Sequence, residues 1–485
     1  MTDSTHPPLA SPQPVDGHST AGGRPDPGSF RDPGGRVFHV DGEVYRTLDA
    51  RSLGDWERLA ATRFFPTEMA AGRIVATRPA PEVAAPVDGA WVGVLHHERI
   101  PVVSYPYEWT FSMLRDAAVL QLDLLKAALA EDMILKDSTP YNVQWRGSRP
   151  VFIDIGSFER LEKGDVWVGY RQFLRQYLYP LMLRAYLDIP FQPWLRGEPE
   201  GMTAEQLRRM LSTRDLARKG VLLHVAMQAR AERRYHDSER DVRSELKEAG
   251  FRKELIEANV GGLRKTVASL EWDHGDSDWN RYADECHHVS VQRDAKSEFL
   301  ARVLAEHRPG TVWDVGANDG HFSRQAAAVA DYVLAMDADE VVLEELYRKL
   351  SADGVTNVLP LLQDLASPSP GLGWRGAERS PLEARSQPDL VMCFAVVHHL
   401  VVGRNLPLRA VVNWLADLDS RVILEFVPPD DPMVRRLVAN KRPHEVHTDY
   451  TEDALRGYLA DRFVIDHEEA VPGGGRRVFS LRPTG

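Results

Sequence analysis

The chain has 485 residues, of which 43% are hydrophobic and 27% charged, and its formal net charge is -12. This composition is typical of a globular protein, and the length favours two or three domains. Wrapping nucleic acid requires a basic surface, so no nucleic-acid partner is expected. The two cysteines, Cys286 and Cys393, are too few for a disulfide framework or a cysteine-based zinc site. A reducing cytoplasm is therefore the expected location.

The first 35 residues are rich in Pro, Gly, Ser and Asp and offer almost nothing to bury, which predicts a disordered tail over residues 1–35. They lack the basic start and apolar core of a secretory signal. The longest apolar stretch, near residues 391–402, is too short for a bilayer and contains two histidines. No membrane partner is expected.

Residues 36–270 begin with short β-type runs such as VFHVDGEVYRTL and GRIVATRP, separated by turn residues. Apolar residues at helical spacing follow over residues 109–132, and a loop with two short strands comes next. From about residue 165 to 270 the pattern is mostly helical. Its charged stretch from Arg230 to Lys265 is interpreted as solvated helix surface or a linker. The sequence thus predicts an α+β domain over residues 36–270.

The pattern changes again over residues 276–485, where short apolar strands alternate with amphipathic helices. The spacing is that of βαβ units, which predicts an α/β fold with a parallel sheet and helices on both faces. A glycine-rich turn, Asp314-Val-Gly316-Ala-Asn318-Asp-Gly320, follows the first strand and precedes a helix. A nucleoside must approach the backbone closely at such a strand end, where a β-carbon would clash. Asn318 tolerates left-handed backbone angles and can occupy a turn position.

Acidic residues end the next two strands. Asp337 follows Gly316 by 21 residues, a spacing typical of an acid that accepts hydrogen bonds from both ribose hydroxyls, and Asp339 is a weaker candidate for that role. Asp364, beside Gln363, ends the third strand and could accept from an adenine amino group. The G-x-G-x-x-G spacing of a dinucleotide site is missing from this turn, which disfavours NAD.

Residues 311–427 resemble a class I methyltransferase that uses S-adenosylmethionine (SAM), through DVGANDG, the strand ending in Asp337, the QD pair and the FAVVHHL strand. The resemblance implies a Rossmann-like seven-stranded sheet whose last two strands are DRFVIDHEEA and GRRVFSLRP. It also implies that SAM is the cofactor and that Asp314 orients its methionine part.

His398 and His399 are predicted to end the fourth strand, at the crevice where ligands bind in open α/β sheets. A histidine there could take a proton from the methyl acceptor. Alternatively, one histidine packs under the adenine and the other lies on the surface. Two adjacent histidines on a strand point to opposite faces, so no metal site is expected.

Two flanking segments carry further candidates. The stretch before the sheet is predicted to form a helix over the cofactor, with Tyr282 and Lys296 as contacts. The long segment after the fifth strand either binds an acidic substrate or is a solvated loop; its candidate residues are Glu425, Lys441, Arg442, His444, His447 and Tyr450.

In the N-terminal domain, Asp137, Asn142 five residues later and Asp154 in a D-x-G turn stand in the order of a catalytic Asp and two metal-binding residues. Through these residues the domain resembles protein kinases and aminoglycoside phosphotransferases. The glycine-rich loop is missing, and no lysine occurs before Lys126, although Arg73 could substitute. The sequence therefore predicts a degenerate kinase-like scaffold that binds the substrate or a protein partner.

We therefore expect a methyltransferase that acts on a small molecule, such as a bacterial specialised metabolite or a glycan-like signal. Two alternatives remain open. The N-terminal domain could also bind ATP and magnesium and transfer phosphate, or the chain could be a SAM-binding module without activity.

Overall fold

A computed structural model describes residues 23–235, 253–275 and 288–484, which form two compact units. The first unit comprises the described residues up to Gly54 together with Thr77–Arg99, and the second comprises Asp55–Ala76 with the residues from Ile100 onward. This division differs from the predicted boundary near residue 270. Within the described ranges, every helix is too short or too polar to span a lipid bilayer.

The first unit holds a five-stranded antiparallel sheet with the strand order β1-β2-β3-β5-β4. Its strands are β1 (Gly23–Pro25), β2 (Val37–Val40), β3 (Glu43–Leu48), β4 (Thr77–Pro79) and β5 (Gly93–His97). Gly23–Pro25 pairs with β2, so the structure differs from the predicted tail over residues 23–35, while residues 1–22 lie outside the described ranges.

The second unit begins with helices and short strand pairs. Its helices are α2 (Phe64–Ala70), α3 (Phe111–Ala130), α4 (Tyr170–Phe173), α5 (Tyr179–Leu187), α6 (Gln192–Gly197), α7 (Ala204–Met210), α8 (Met227–Tyr235) and α9 (Lys253–Ala268), and α1 (Ala50–Ala60) leads into them. Strand β6 (Met133–Leu135) pairs with β9 (Phe158–Arg160), and β7 (Val143–Arg146) pairs with β8 (Arg149–Phe152). Most of the described residues between 165 and 270 are helical, as predicted, while residues 236–252 of the charged stretch lie outside the described ranges.

A seven-stranded sheet forms the rest of this unit, with the order β12-β11-β10-β13-β14-β16-β15. The strands are β10 (Thr311–Val315), β11 (Tyr332–Asp337), β12 (Val358–Leu362), β13 (Leu390–Cys393), β14 (Arg421–Phe426), β15 (Phe463–Ala470) and β16 (Arg477–Pro483). The first five are parallel, and β16 is antiparallel to both of its neighbours. The seven strands and the positions of the last two confirm the prediction.

Helices alternate with these strands: α10 (His288–His307), α11 (His321–Ala327), α12 (Glu340–Ala352), α13 (Leu382–Arg385), α14 (Leu408–Asp417), α15 (Pro432–Val438) and α16 (Glu452–Ala460). Strands β10 and β13 are buried along nearly their whole length, as expected of parallel strands covered on both faces. The carboxyl ends of β10 to β14 therefore meet at one edge, where ligands bind in open sheets.

The helical part and the sheet belong to one unit because polar contacts buried between them join α3 to α12. Ser112 donates hydrogen bonds to the Glu344 carboxylate through its backbone N–H (2.9 Å) and its hydroxyl (2.5 Å). The Tyr347 hydroxyl donates to Asp116 at 2.8 Å, and its ring packs edge-on against Trp145. These contacts explain why the chain does not divide near residue 270.

Candidate active site

The glycine-rich turn lies at the end of β10 and requires glycine at two positions. Gly316 and Gly320 have φ angles of 77° and 76°, in the left-handed region. A β-carbon on Gly316 would lie 2.4 Å from Cγ2 of Val396, and one on Gly320 would lie 2.4 Å from Cδ1 of Leu346. Asn318 has a φ of 47°, as expected of an asparagine that takes a left-handed turn position. The two glycines therefore let the backbone of the turn pack against Val396, which follows β13, and against Leu346 on α12.

Asp337 ties this turn to the next strand. Its Oδ2 accepts a hydrogen bond from the Asn318 backbone N–H at 2.9 Å, and its Oδ1 accepts from the Asp339 N–H at 3.0 Å. Burial raises the pKa of Asp337, and the nearby Asp339 carboxylate acts in the same direction. Each carboxylate oxygen has a second lone pair, so Asp337 can still accept hydrogen bonds from a ligand hydroxyl.

Asp314 lies in β10, directly before the glycine turn. Its side chain is buried and accepts a hydrogen bond from the Ser323 hydroxyl at 2.5 Å. Burial raises the pKa of Asp314 to about 7. Asp314 is missing from the described residues that line the crevice. Its observed contact therefore joins β10 to α11, and a role in orienting methionine remains a prediction.

Gln363 and Asp364 follow β12 and both line the crevice. The Gln363 side chain is buried and donates to Glu108 at 2.8 Å. Asp364 is half-buried and accepts from Arg404 at 2.6 Å. Adenine would therefore have to share the Asp364 carboxylate with Arg404, which already donates to Oδ2.

His398 and His399 lie beyond the fourth strand, so the prediction that they end this strand was wrong. Strand β13 ends at Cys393, and the two histidines stand in a helical turn whose π-helical part spans His399–Gly403. Consecutive residues on a helical turn project about 100° apart, so both rings line the crevice, with their centroids 4.1 Å apart. Burial lowers the pKa of His398 to about 2 and that of His399 to about 4, so both imidazoles are neutral at pH 7.

A buried cluster of charges lies beside the histidines. Glu425 is fully buried within β14, not in the loop after it, and it contacts Lys296 Nζ at 3.0 Å and Arg476 at 3.3 Å. Arg476 also contacts Asp431 at 2.8 Å. Lys296 and Arg476 line the crevice, whereas the two acids do not. The two cations of the cluster therefore line the crevice, and the two buried acids that neutralise them lie outside its lining.

The sequence contained a signal for this cluster that we missed. An acid in the middle of the apolar strand RVILEF needs a buried cationic partner. Lys296 was predicted, but as a cofactor contact, and Tyr282 lies outside the described residues. Neither Arg476 nor Asp431 was predicted.

The predicted basic cluster after β14 is mostly bonded to the protein backbone. Lys441 Nζ donates to the Val402 carbonyl, His447 Nε2 bonds the Asn405 carbonyl at 2.9 Å, and the buried Tyr450 hydroxyl donates to Val427 at 2.7 Å. Arg442 and His444 are exposed. In the described part of this segment, Met433 and Leu437 line the crevice instead. Because Tyr450 is buried while Arg442 and His444 are exposed, the acidic-substrate and solvated-loop interpretations both stay predictions.

The kinase-like candidates are partly brought together. Asn142 Nδ2 donates to the Ser157 hydroxyl at 3.0 Å, and that hydroxyl donates to Asp154 at 2.6 Å. Arg73 pairs with Glu68 at 3.2 Å. Among the residues that the structure describes, no group of three or more His, Cys, Asp or Glu side chains has the arrangement of a metal site.

Comparison with known proteins identifies a relative over nearly the whole length. No protein-family model matches the chain. The nodulation protein NoeA of Rhizobium meliloti strain 1021 is 33% identical over 457 residues, which cover 94% of this chain and 95% of the relative. The chain belongs to the NoeA family.

Solved methyltransferases resemble part of this NoeA-family protein. They are the SAM-bound magnesium protoporphyrin IX methyltransferase of Synechocystis PCC 6803 (22% identity, 43% of this chain and 86% of that chain, TM-score 0.29), the N-methyltransferase NodS of Bradyrhizobium japonicum WM9 (11%, 40% and 97%, 0.30) and a SAM-dependent methyltransferase of Clostridium acetobutylicum ATCC 824 (12%, 43% and 100%, 0.32). At such TM-scores the likeness adds nothing to the strand order and site geometry of the NoeA-family protein itself.

The crevice of the NoeA-family protein is a single cavity of about 1370 Å³. It extends from the glycine turn past His398 and His399. Residues from outside the sheet also line it, namely Tyr107, Arg184, Pro190, Gln192, Pro193, Arg196 and Gly197. Sequence reasoning did not find this wall, because no motif marks which face of a preceding helical segment will pack over a sheet edge.

Proposed function

We propose that this protein is a SAM-dependent methyltransferase that acts on a small-molecule acceptor. The single observation that carries the proposal is one cavity that joins a glycine turn, the Asp337 carboxylate and two neutral histidines. A small-molecule site usually has about 300–1,000 Å³, so a cavity of about 1370 Å³ has room for a nucleoside cofactor and an acceptor together.

The residues fit a nucleoside cofactor. Gly316 lets the backbone line the cavity, and Asp337 offers carboxylate lone pairs for ribose hydroxyls. His398 Nδ1 is buried without a hydrogen-bond partner among the described residues, which suits a ligand atom at that point. When bound, SAM supplies an electrophilic methyl group on its sulfonium.

The histidines suit the acceptor side of this cavity. A neutral imidazole can accept a proton from an acceptor hydroxyl or amine, and low pKa values keep both rings neutral at pH 7. The adjacent Lys296 and Arg476 oppose protonation of His398, which helps to keep that ring in its accepting form.

The first test is titration calorimetry of Asp337→Ala with S-adenosylhomocysteine (SAH). We expect SAH affinity to be lost, because the carboxylate that holds the turn and the ribose is removed, while the circular dichroism spectrum is kept. The control is Asp417→Ala, which removes an aspartate that is 69% exposed, and it should bind as the wild type does. SAH binding by a folded Asp337→Ala variant at wild-type affinity would refute the proposal.

A second candidate function is phosphate transfer by the N-terminal part. It is favoured by the Ser157 hydroxyl, which hydrogen-bonds both Asn142 and Asp154 and so brings these two candidate metal-binding residues together. Titration with ATP and magnesium should then show binding that Asp154→Ala abolishes. A module that binds SAM without activity differs from both candidates, since it would form no methylated product with any acceptor.

A further inference from the structure

One wall of the cavity comes from residues that precede the seven-stranded sheet by more than a hundred positions. Tyr107, Arg184 and Gln192 line it together with Gly316, Asp337 and Gln363. This wall contacts the sheet at two places.

The first contact is at the N-terminus of α12. Glu340 is buried and accepts from Arg184 at 2.8 Å and from Gln192 Nε2 at 2.8 Å. The adjacent Asp339 caps α12 and donates its own backbone N–H to Asp337. A polar chain thus runs from Arg184 through the start of α12 to the carboxylate proposed to hold ribose.

The second contact is at the end of β12. Glu108 is fully buried and accepts from Gln363 Nε2 at 2.8 Å. It also forms a buried ion pair with Arg385, at 2.5 Å between Oε1 and Nη2. Because Tyr107 immediately precedes Glu108, this contact fixes Tyr107 beside Gln363. The wall therefore contacts the sheet just after β11 and just after β12, close to the Asp337 carboxylate that is proposed to hold ribose.

Three buried polar atoms of the wall make no hydrogen bond within the part of the chain that the structure describes: the Tyr107 hydroxyl, Gln192 Oε1 and Arg184 Nε. Buried polar atoms normally have a hydrogen-bond partner, so the phenol hydroxyl and the amide oxygen are free to bond a ligand. An adenine base offers an amino donor and ring-nitrogen acceptors, which complement an amide oxygen and a phenol hydroxyl.

We propose that Tyr107 and Gln192 recognise the adenine base of the cofactor, and that Arg184 acts as a positioning residue through Glu340. The inference rests on the proposed SAM-dependent function and deepens it. The segment before the sheet is then part of the cofactor site, and base selectivity comes from outside the methyltransferase-like sheet.

The experiment compares SAH with S-inosylhomocysteine, in which a carbonyl replaces the adenine amino group. The full chain and its Gln192→Ala and Tyr107→Phe variants are titrated with both ligands. We expect each variant to bind SAH about tenfold more weakly and to lose most of its preference for SAH over the inosine analogue, since each loses a hydrogen-bonding group for the base. Arg209→Ala on the exposed face of α7 is the control and should match the wild type.

The positioning role of Arg184 is tested by comparing the affinities for SAH and for the inosine analogue. Replacing the buried pair by Arg184→Met with Glu340→Gln removes both charges, and it should weaken SAH and the inosine analogue equally. If Gln192→Ala and Tyr107→Phe both keep wild-type SAH affinity and base preference, the inference is overturned while SAM binding stands. If the wild type binds neither SAH nor the inosine analogue, both the proposed function and this inference are refuted. Melting temperatures identify unfolded variants, and Tyr107→Phe, which removes one oxygen, keeps the test decisive if the others fail to fold.

Discussion

Replacing Asp314 by asparagine should stabilise the protein, and more so as the pH rises. Asp314 is buried and has a pKa of about 7 in the folded protein, against 3.8 for the ordinary side chain. Between these values the folded state keeps a proton that the unfolded state has lost, so stability falls as pH rises. At about 1.4 kcal/mol per pH unit, the cost is roughly 2 kcal/mol at pH 5 and roughly 4 kcal/mol at pH 8.5.

Asparagine removes this cost and can still accept the Ser323 hydroxyl through its amide oxygen. The stability of Asp314→Asn relative to the wild type should therefore increase by about 2–3 kcal/mol between pH 5 and pH 8.5. Urea unfolding followed by tryptophan fluorescence at both pH values measures the difference, and Trp313 lies next to the site. Comparing variant and wild type at each pH cancels the other titrating groups.

Asp417→Asn is the matched control, because it removes one negative charge from the surface. If the gain in stability of Asp314→Asn is the same at pH 5 and pH 8.5, burial of a titrating Asp314 is not what sets it. A loss of stability at pH 8.5 would show that the ionised carboxylate is needed by Ser323 or by another neighbour.

Three further predictions concern the cavity. Gly316→Ala should weaken SAH binding at least about tenfold in calorimetry, because the new β-carbon would lie 2.4 Å from Val396 in a left-handed backbone conformation. Lys296→Met should lower the free energy of unfolding in urea by about 2–3 kcal/mol, since buried Glu425 loses one of two cationic partners. His399→Ala should lower kcat by about 10²–10⁴ with SAH affinity unchanged. Because the pKa of His399 is about 4, its protonation should not reduce wild-type activity between pH 8 and pH 6.

Each of these has a matched comparison. Gly261→Ala meets no atom within 4 Å of the added carbon and should leave SAH affinity unchanged. Adding Glu425→Gln to Lys296→Met should recover part of the lost stability, because the unpaired charge is gone. Wild-type SAH affinity in Gly316→Ala, an unaltered urea midpoint in Lys296→Met, or full turnover in His399→Ala would each contradict the reasoning behind its prediction.

Short apolar runs bounded by turns predicted strands β10 to β14, and the glycine turn and Asp337 stand at fixed distances. The seven-strand count and the last two strands followed from the resemblance to methyltransferases, because β15 is largely polar and exposed. His398 and His399 were misplaced, since FAVVHHL is apolar enough to continue a strand, whereas β13 ends at Cys393 and Ala395 takes a left-handed φ of 54°. Asp314 fitted a motif position, yet its contact with Ser323 depends on how α11 packs against β10.

Residues far apart in the chain were the hardest to predict. Glu340 looks like an ordinary acid in the first turn of a helix, where the helix dipole favours it. Its buried partners Arg184 and Gln192 stand about 150 positions earlier, and no local pattern connects them. The wall of the cavity follows from tertiary packing, which periodicity and motif spacing do not encode.

The placement of β16 has a consequence for synthesis on the ribosome. This strand, Arg477–Pro483, follows every other strand of the sheet in the chain, yet it lies between β14 and β15. Until it leaves the exit tunnel, β14 presents an unpaired, apolar edge, and β15 has no neighbour in the sheet to join. Assembly of this side of the sheet is therefore held back until residues 477–483 are free, and a nascent chain stalled before them carries an unpaired strand edge, which favours aggregation.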